Sequence, residues 1–394
     1  MSREQLVEVA RRSLAHRVAG TQDRADGVHE VPASSYFDPG RWQVEMDNVF
    51  LRLPLVVAGT CELPNAGDYL AGEIADTPFL LIRSSDGEVR AFLNMCSHRG
   101  SVVTKEGTGN TRRHTCPYHA WAYDETGDLV GILDAADFGE VDRSCNGLTA
   151  LPCAERAGLI WIHLRPEAKI DIDTFLGGYG DLLEHLDFAN CHPAGRQAID
   201  GPNWKIAYDG YLDFYHLPIL HKDTFGPQMS TKAQYDAWGP HQRVTSPERG
   251  NEKLLDVPED DWPIEDLIGG VWTIFPHVSI AAFDANGKVW MVSMLYPGST
   301  PESSTTVQLF LHTRPPDDEQ AEVMEQRLEF NRYVVGQEDY LTGLRLQKAL
   351  KTGGKQVALF GRNESGGQRF HRFLDQLLDV DDADLATFFE NRHS

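Results

Sequence analysis

The chain has 394 residues, 41% of them hydrophobic, a composition that excludes wholesale disorder and leaves room for two domains. Its 36 basic and 59 acidic side chains give a net charge of −23, which argues against nucleic acid and anionic lipid as general partners. No apolar run approaches the roughly 18 residues that span a bilayer. The segment MSREQLVEVARRSLAHRVAG lacks the apolar core of a signal peptide, so the expected location is cytoplasmic.

That opening segment predicts an amphipathic helix, followed by a polar arm. From about residue 36 to 164 the texture is β. Residues 79–94 predict a hairpin with Ser85-Asp86-Gly87 in its turn. Residues 121–133 predict a second hairpin with Thr126-Gly127 in its turn, and 158–164 a further strand. Arg165-Pro166-Glu167 marks a boundary. Beyond it, 172–186 reads as helical. Residues 269–282 and 288–296 read as strands around an Asn286-Gly287 turn, and 305–313 as another strand. Residues 316–350 predict a long helix with an acidic first turn (Asp317, Asp318, Glu319), and 370–378 a last helix.

Between the two hairpins lie Cys96-Ser97-His98, 17 further residues, and Cys116-Pro117-Tyr118-His119. Each half is a short loop with one thiolate and one imidazole. Cys96, His98, Cys116 and His119 suit a [2Fe-2S] cluster with two Cys on one iron and two His on the other. Structural zinc is the competing use of the same donors, but its common order is Cys, Cys, His, His in a ββα unit. The other four cysteines read as small buried residues.

A second constellation follows in NWKIAYDGYLDFYHLPILH. His216 and His221 are five positions apart, about 140° on an unbroken helix, so they would not share a face. Pro218 interrupts helical hydrogen bonding between them, and a bent or ending helix could aim both at one metal. Two His and one carboxylate form the facial triad of non-heme Fe(II) sites. The carboxylate is open among Asp209, Asp213, Glu338 and Asp339. Gly336 and Gly343, at i−3 and i+4 from Asp339, would allow its helix face a close approach.

CSHRG followed by CPYHAWAYDETGDL resembles the cluster-binding signature of Rieske non-heme iron oxygenases, in their catalytic (α) subunit. ELPNAGDYL, YFDP, IFPHVSIAAF and FGRNESGGQRFHRFL look familial as well, so the likeness covers nearly the whole chain. One departure is Ala120, where the family usually has Gly. The resemblance implies an α+β fold: a small all-β Rieske domain (41–165) ahead of a larger helix-grip catalytic domain (166–394), with residues 1–40 packing on the latter. It points to Asp339 as the third Fe(II) ligand beside His216 and His221. Asp213 matches the family's bridging acid, which would join His119 of one chain to His216 of the next and so requires a ring oligomer. Asp209-Gly210 departs from the commoner Glu-Asn and carries no assigned role.

The implied activity is O2-dependent hydroxylation of a small aromatic or hydrophobic substrate. The alternatives are an oxidative demethylase or monooxygenase of the same family, or a Rieske protein that only transfers electrons. The chain has no GxGxxG or P-loop, so NAD(P)H would act through a separate ferredoxin, flavin reductase or both. Arg99, Lys105, Arg112 and Arg113 would dock an acidic donor. A homotrimer is expected, with an α3β3 assembly as the variant. Phe214, Leu217, Ile274, Phe275 and Phe283 are expected to line the substrate pocket.

Overall fold

Thr77–Arg83 pairs antiparallel with Val89–Leu93, as the first hairpin requires. Gly87, at φ +90°, supplies the left-handed residue of its turn. In this computed structural model, which describes residues 2–168, 170–249, 252–315 and 317–393, that hairpin is the centre of a five-stranded sheet. The order is Ala150–Leu151, Val89–Leu93, Thr77–Arg83, Asp68–Ile74 and Gly107–Asn110. The second hairpin is Ala122–Asp124 with Leu129–Gly131, extended by Arg113–Thr115. Leu159–Ile162 lies between Leu55–Gly59 and Cys153–Arg156 in a third sheet. Leu80, Ile82, Phe92, Trp121 and Tyr123 are buried together where the first two sheets meet. This is the expected all-β unit.

The larger unit is built on a seven-stranded antiparallel sheet. Its order is His192–Gly201, Ser304–His312, Lys288–Pro297, Val278–Asp284, Val271–Ile274, His241–Thr245 and Gln234–Trp238. Partners across an antiparallel ladder share a face. Trp272, Ile280, Val292 and Leu309 therefore form one apolar row, each at most 1% exposed. They join the core that reaches Val56 and Val57 of the β unit. The opposite face carries a polar row, Gln242, Thr273, Ser279, Ser293, Gln308 and Gln197, also buried. Gln197 donates to Gln308 within the row at 2.7 Å, while Gln242 reaches out of it to the Gly366 carbonyl at 3.2 Å.

Three segments differ from expectation. His192–Gly201 is a ten-residue strand that its Pro and Gly content conceals; pairing with Ser304–His312 imposes it. The run 269–282 divides at Phe275-Pro276 into two strands, because proline cannot donate to a ladder. The run 172–186 breaks at Gly177-Gly178 into short helices. The long helix is continuous but not uniform: Asp318–Tyr333 is α, Val334–Tyr340 is π, and Leu341–Leu350 is α again. Asp317 caps it in a reciprocal box with Gln320; Pro316 lies outside the described residues.

The N-terminal helix Ser2–Ala19 buries Leu6, Val7, Val9 and Leu14. Arg3 donates to the Trp262 carbonyl at 2.9 Å, and Gln234 to the Val9 carbonyl at 3.0 Å. His29–Pro32 pairs with Val357–Phe360. Arg52 donates to the carbonyls of Leu377 and Val380. Glu45, fully buried, accepts from Trp204 Nε1 at 2.9 Å and pairs with the equally buried Lys205. These contacts tie the first fifty residues to the larger unit. Among the described residues no helix is long and apolar enough to cross a membrane.

Candidate metal centres

The two Cys/His loops repeat one turn. In the first, Gly100 N–H donates to the Cys96 carbonyl (2.8 Å) and Cys96 N–H to the Ser101 carbonyl (2.8 Å). In the second, Ala120 N–H donates to Cys116 (3.0 Å) and Cys116 N–H to Trp121 (2.8 Å). Both turns end on a left-handed residue, Gly100 at φ +77° and Ala120 at φ +56°. Ala120 is thus a side chain in a conformation that favours glycine.

Cys96 and Cys116 are each 2% exposed, and no cysteine is in a disulfide. The rings of His98 and His119 lie 4.7 Å apart, and Trp121 stacks on His98 at 5.0 Å. Tyr123, a residue sequence reasoning did not single out, sits 3.2 Å from Cys96 Sγ and accepts the Ser97 N–H at 2.9 Å. Burial and Cys96 push its phenol up to about 12, so it stays a donor to the sulfur. Desolvation, then His119 and Arg99, hold His98 below its ordinary value, which favours the neutral ring a metal needs.

The donor set of two buried thiols and two adjacent imidazoles fits a [2Fe-2S] cluster. Among the described residues, the one group of three donors within 4.8 Å of each other is His216, His221 and Asp339. The four loop donors do not gather about one point, as a single tetrahedral zinc would demand.

The two histidines of that second group arise between the first strand of the large sheet and its far edge. The helix Trp204–Asp209 ends, and after a turn comes the one-turn helix Leu217–Leu220. His216 occupies its N-cap and His221 its C-cap, the broken geometry that Pro218 suggests. Asp339 comes from the π-helical Val334–Tyr340, the kind of turn that recurs at functional sites. Its Oδ1 lies 3.2 Å from His221 Nε2 and 3.8 Å from His216 Nε2.

The other nitrogen of each ring is also held by a carboxylate. Asp213 accepts from His216 Nδ1 at 3.1 Å and from the His216 N–H at 3.1 Å. Glu338 accepts from His221 Nδ1 at 2.7 Å and from Thr224 Oγ1 at 2.9 Å. A proton held on each Nδ1 leaves both Nε2 lone pairs facing Asp339. Burial alone would lower both imidazoles. Asp213 and Asp339 for His216, and Asp339 and Glu338 for His221, outweigh it and raise them. The donors fit an Fe(II) facial triad.

The four open carboxylates thereby take different places. Asp209 stands apart, accepting from Tyr36 Oη at 2.8 Å with His371 Nε2 at 2.9 Å. Gly343 does provide close approach, but to the neighbouring helix: a Cβ there would meet Pro202 at 2.7 Å and Ile206 at 3.0 Å. Gly336 makes only ordinary contact with Ile199.

A cavity of about 1170 Å³ opens on His216, His221 and Asp339. Phe214, Leu217 and Phe283 line it, joined by Phe225, Met229 and Phe330, which the sequence reading missed. Ile274 and Phe275 do not. Ile274 shares the face of Trp272, and both point into the apolar core, while the alternate Val271 reaches the cavity. Phe275 packs on Phe370 and Phe373.

Two family models match the chain: a Rieske [2Fe-2S] domain over residues 54–141, and the catalytic domain of a ring-hydroxylating alpha subunit over 188–380. The glycine betaine monooxygenase oxygenase subunit of Chromohalobacter salexigens is 32% identical over half of this chain but 44% of its own length. The anthranilate 1,2-dioxygenase large subunit of Acinetobacter baylyi is 29% identical, over 50% of this chain and 43% of its own length. The chain thus aligns with less than half of either relative. The carnitine monooxygenase oxygenase subunit of Escherichia coli is 28% identical over 88% of this chain and 93% of its own. Among solved structures, a quaternary ammonium Rieske monooxygenase with L-carnitine superposes with a TM-score of 0.73 at 20% identity, covering 91% and 96% of the two chains. Naphthalene 1,2-dioxygenase from Rhodococcus sp. gives 0.71 at 22%, covering 96% and 99%. These superpositions establish the fold.

Proposed function

Because the chain belongs to the Rieske oxygenase α-subunit family, we propose that it catalyses O2-dependent hydroxylation of a small aromatic or hydrophobic molecule. The observation that carries this reading is the three-donor group His216, His221 and Asp339 opening into a phenylalanine-rich cavity, in the same chain as the paired Cys/His loops. When bound, a [2Fe-2S] cluster supplies single electrons and a mononuclear Fe(II) activates O2. The residues supply the rest. Cys96, His98, Cys116 and His119 hold the cluster, and Tyr123 donates toward Cys96. Asp213 and Glu338 fix the tautomers of His216 and His221. Phe214, Leu217 and Phe283 exclude water and place the substrate.

Asp213 is 20% exposed, so its free edge is open to a partner group. In this reading it receives His119 of a neighbouring subunit, in a cytoplasmic homotrimer or an α3β3 assembly. Electrons come from NAD(P)H through a ferredoxin or flavin reductase. Arg112, 70% exposed and 4.0 Å from Glu125, stands with Arg99, Lys105 and Arg113 as the docking face. Reversing Arg112 and Arg113 to Glu should slow reduction by the donor and leave dithionite reduction unchanged; equal donor kinetics would remove this face from the account.

The near full-length alignment with carnitine monooxygenase favours a second reading, monooxygenation or oxidative demethylation of a quaternary ammonium compound. Aromatic faces in the cavity are chemically suited to such a cation. Turnover of arenes and quaternary amines side by side with a surrogate reductase separates the two. Diol or phenol products support the first, and C–N cleavage supports the second. Turnover of neither, with both metal sites loaded, would reduce the chain to electron transfer.

A further inference from the structure

A second cavity, of about 620 Å³, lies between the arm that follows the N-terminal helix and the helix Ser365–Leu378. It shares no lining residue with the cavity at the metal site. Five arginines face it: Arg12, Arg24, Arg369, Arg372 and Arg392. In a chain of net charge −23, five arginines against two wall carboxylates, Asp23 and Asp26, make a local excess of positive charge.

Arg12 is neutralised locally, by Asp23 at 2.9 Å and Asp236 at 2.8 Å. The other four have no carboxylate within ion-pair distance among the described residues. Neutral amides hold three of them. Arg369 Nη1 donates to Gln242 Oε1 at 3.0 Å, Arg372 Nη2 to Gln368 Oε1 at 3.1 Å, and Arg392 Nη2 to Gln376 Oε1 at 2.6 Å. An amide oxygen aims a guanidinium without cancelling its charge. Asp26 is also on the wall and pairs with none of them. Burial is the largest influence on Arg369 and lowers its pKa; Asp23 and Asp236 act against this only from beyond ion-pair distance, and Arg12 adds to it. Like charges held together in a partly enclosed site repel, and a bound anion relieves that repulsion. Guanidinium forks pointing into one volume match carboxylate or phosphate oxygens bidentately.

We propose that this cavity is a binding site for a small anion with at least two negative charges, carried by carboxylate or phosphate groups. Arg369 is the more enclosed of its arginines, and Arg24 and Arg372 lie at its exposed rim. The site is independent of the oxygenase reading, since none of its residues touches either metal centre.

The test is calorimetric titration of the metal-loaded protein with succinate, inorganic phosphate and acetate, at ionic strength held constant with KCl. Saturable binding of succinate, phosphate or both is expected, with acetate roughly tenfold weaker for want of a second negative charge. Arg369→Gln and Arg372→Gln should each weaken binding roughly tenfold, the size of one charged hydrogen bond. Arg112→Gln, on the other unit, should bind as the parent does. Arg24→Gln and Arg372→Gln are surface changes that give the same readout if the more enclosed Arg369→Gln does not fold. Iron content and the cluster's spectrum should be unaltered in all of them. Absence of saturable binding for both succinate and phosphate, or equal affinity in parent and variants, would overturn the proposal.

Discussion

The loops at 96–100 and 116–120 hold their donors in turns that follow short β-strands, by the same two backbone hydrogen bonds repeated. His216, His221 and Asp339 come instead from the two ends of a one-turn helix and a distant π-helical turn. In the first site geometry is local, and the backbone alone fixes where the sulfurs sit. In the second, tertiary packing brings the donors together, and two further carboxylates aim them. Loss of a donor should therefore abolish either site, whereas the helical site, aimed by Asp213 and Glu338, can also be weakened in steps.

The largest expected effect is at the loops. Cys116→Ser should abolish the cluster, leaving no Rieske-type EPR signal and no acid-labile sulfide; retention of either would mean the second loop is not a ligand loop. Next, Asp339→Asn should lose the mononuclear iron and all turnover while the cluster signal persists, as metal analysis of the same sample would show. Asp213→Asn should keep both metals, yet lower turnover by about 10–100-fold, the usual cost of removing a group that orients a ligand. Glu338→Gln keeps an acceptor beside His221 Nδ1 and should cost about tenfold, read as weaker iron retention under chelator. The smallest effect is at Ala120. Its φ of +56° favours glycine, so Ala120→Gly should stabilise the β unit by about 0.5–1 kcal/mol, measured as a rise in its urea midpoint.

The same contrast governs what the sequence discloses. Cys96, His98, Cys116 and His119 are legible because their spacing and the flanking hairpins are local. His216 and His221 are legible through the Pro218 break. Spacing alone does not choose between Glu338 and Asp339, and only the family resemblance points to Asp339, because on an α-helix successive residues point about 100° apart and local pattern does not say which one faces the histidines. In the π-turn both carboxylates serve one imidazole, Asp339 at Nε2 of His221 and Glu338 at Nδ1. Ile274 and Phe275 are misplaced by sequence because the facing of a strand depends on its register with neighbours. The strand His192–Gly201 is invisible for a related reason: its partner, not its composition, makes it β. The arginine cavity joins the first thirty residues to the last thirty, a proximity no local pattern contains.

That one chain carries both a cluster site and a separate mononuclear site is tested by EPR of anaerobically purified, dithionite-reduced protein, with iron and acid-labile sulfide assayed on the same sample. A Rieske-type signal with about three irons and two sulfides per chain is the predicted result. A silent, zinc-loaded protein after anaerobic iron reconstitution, or iron no greater than sulfide, would contradict it.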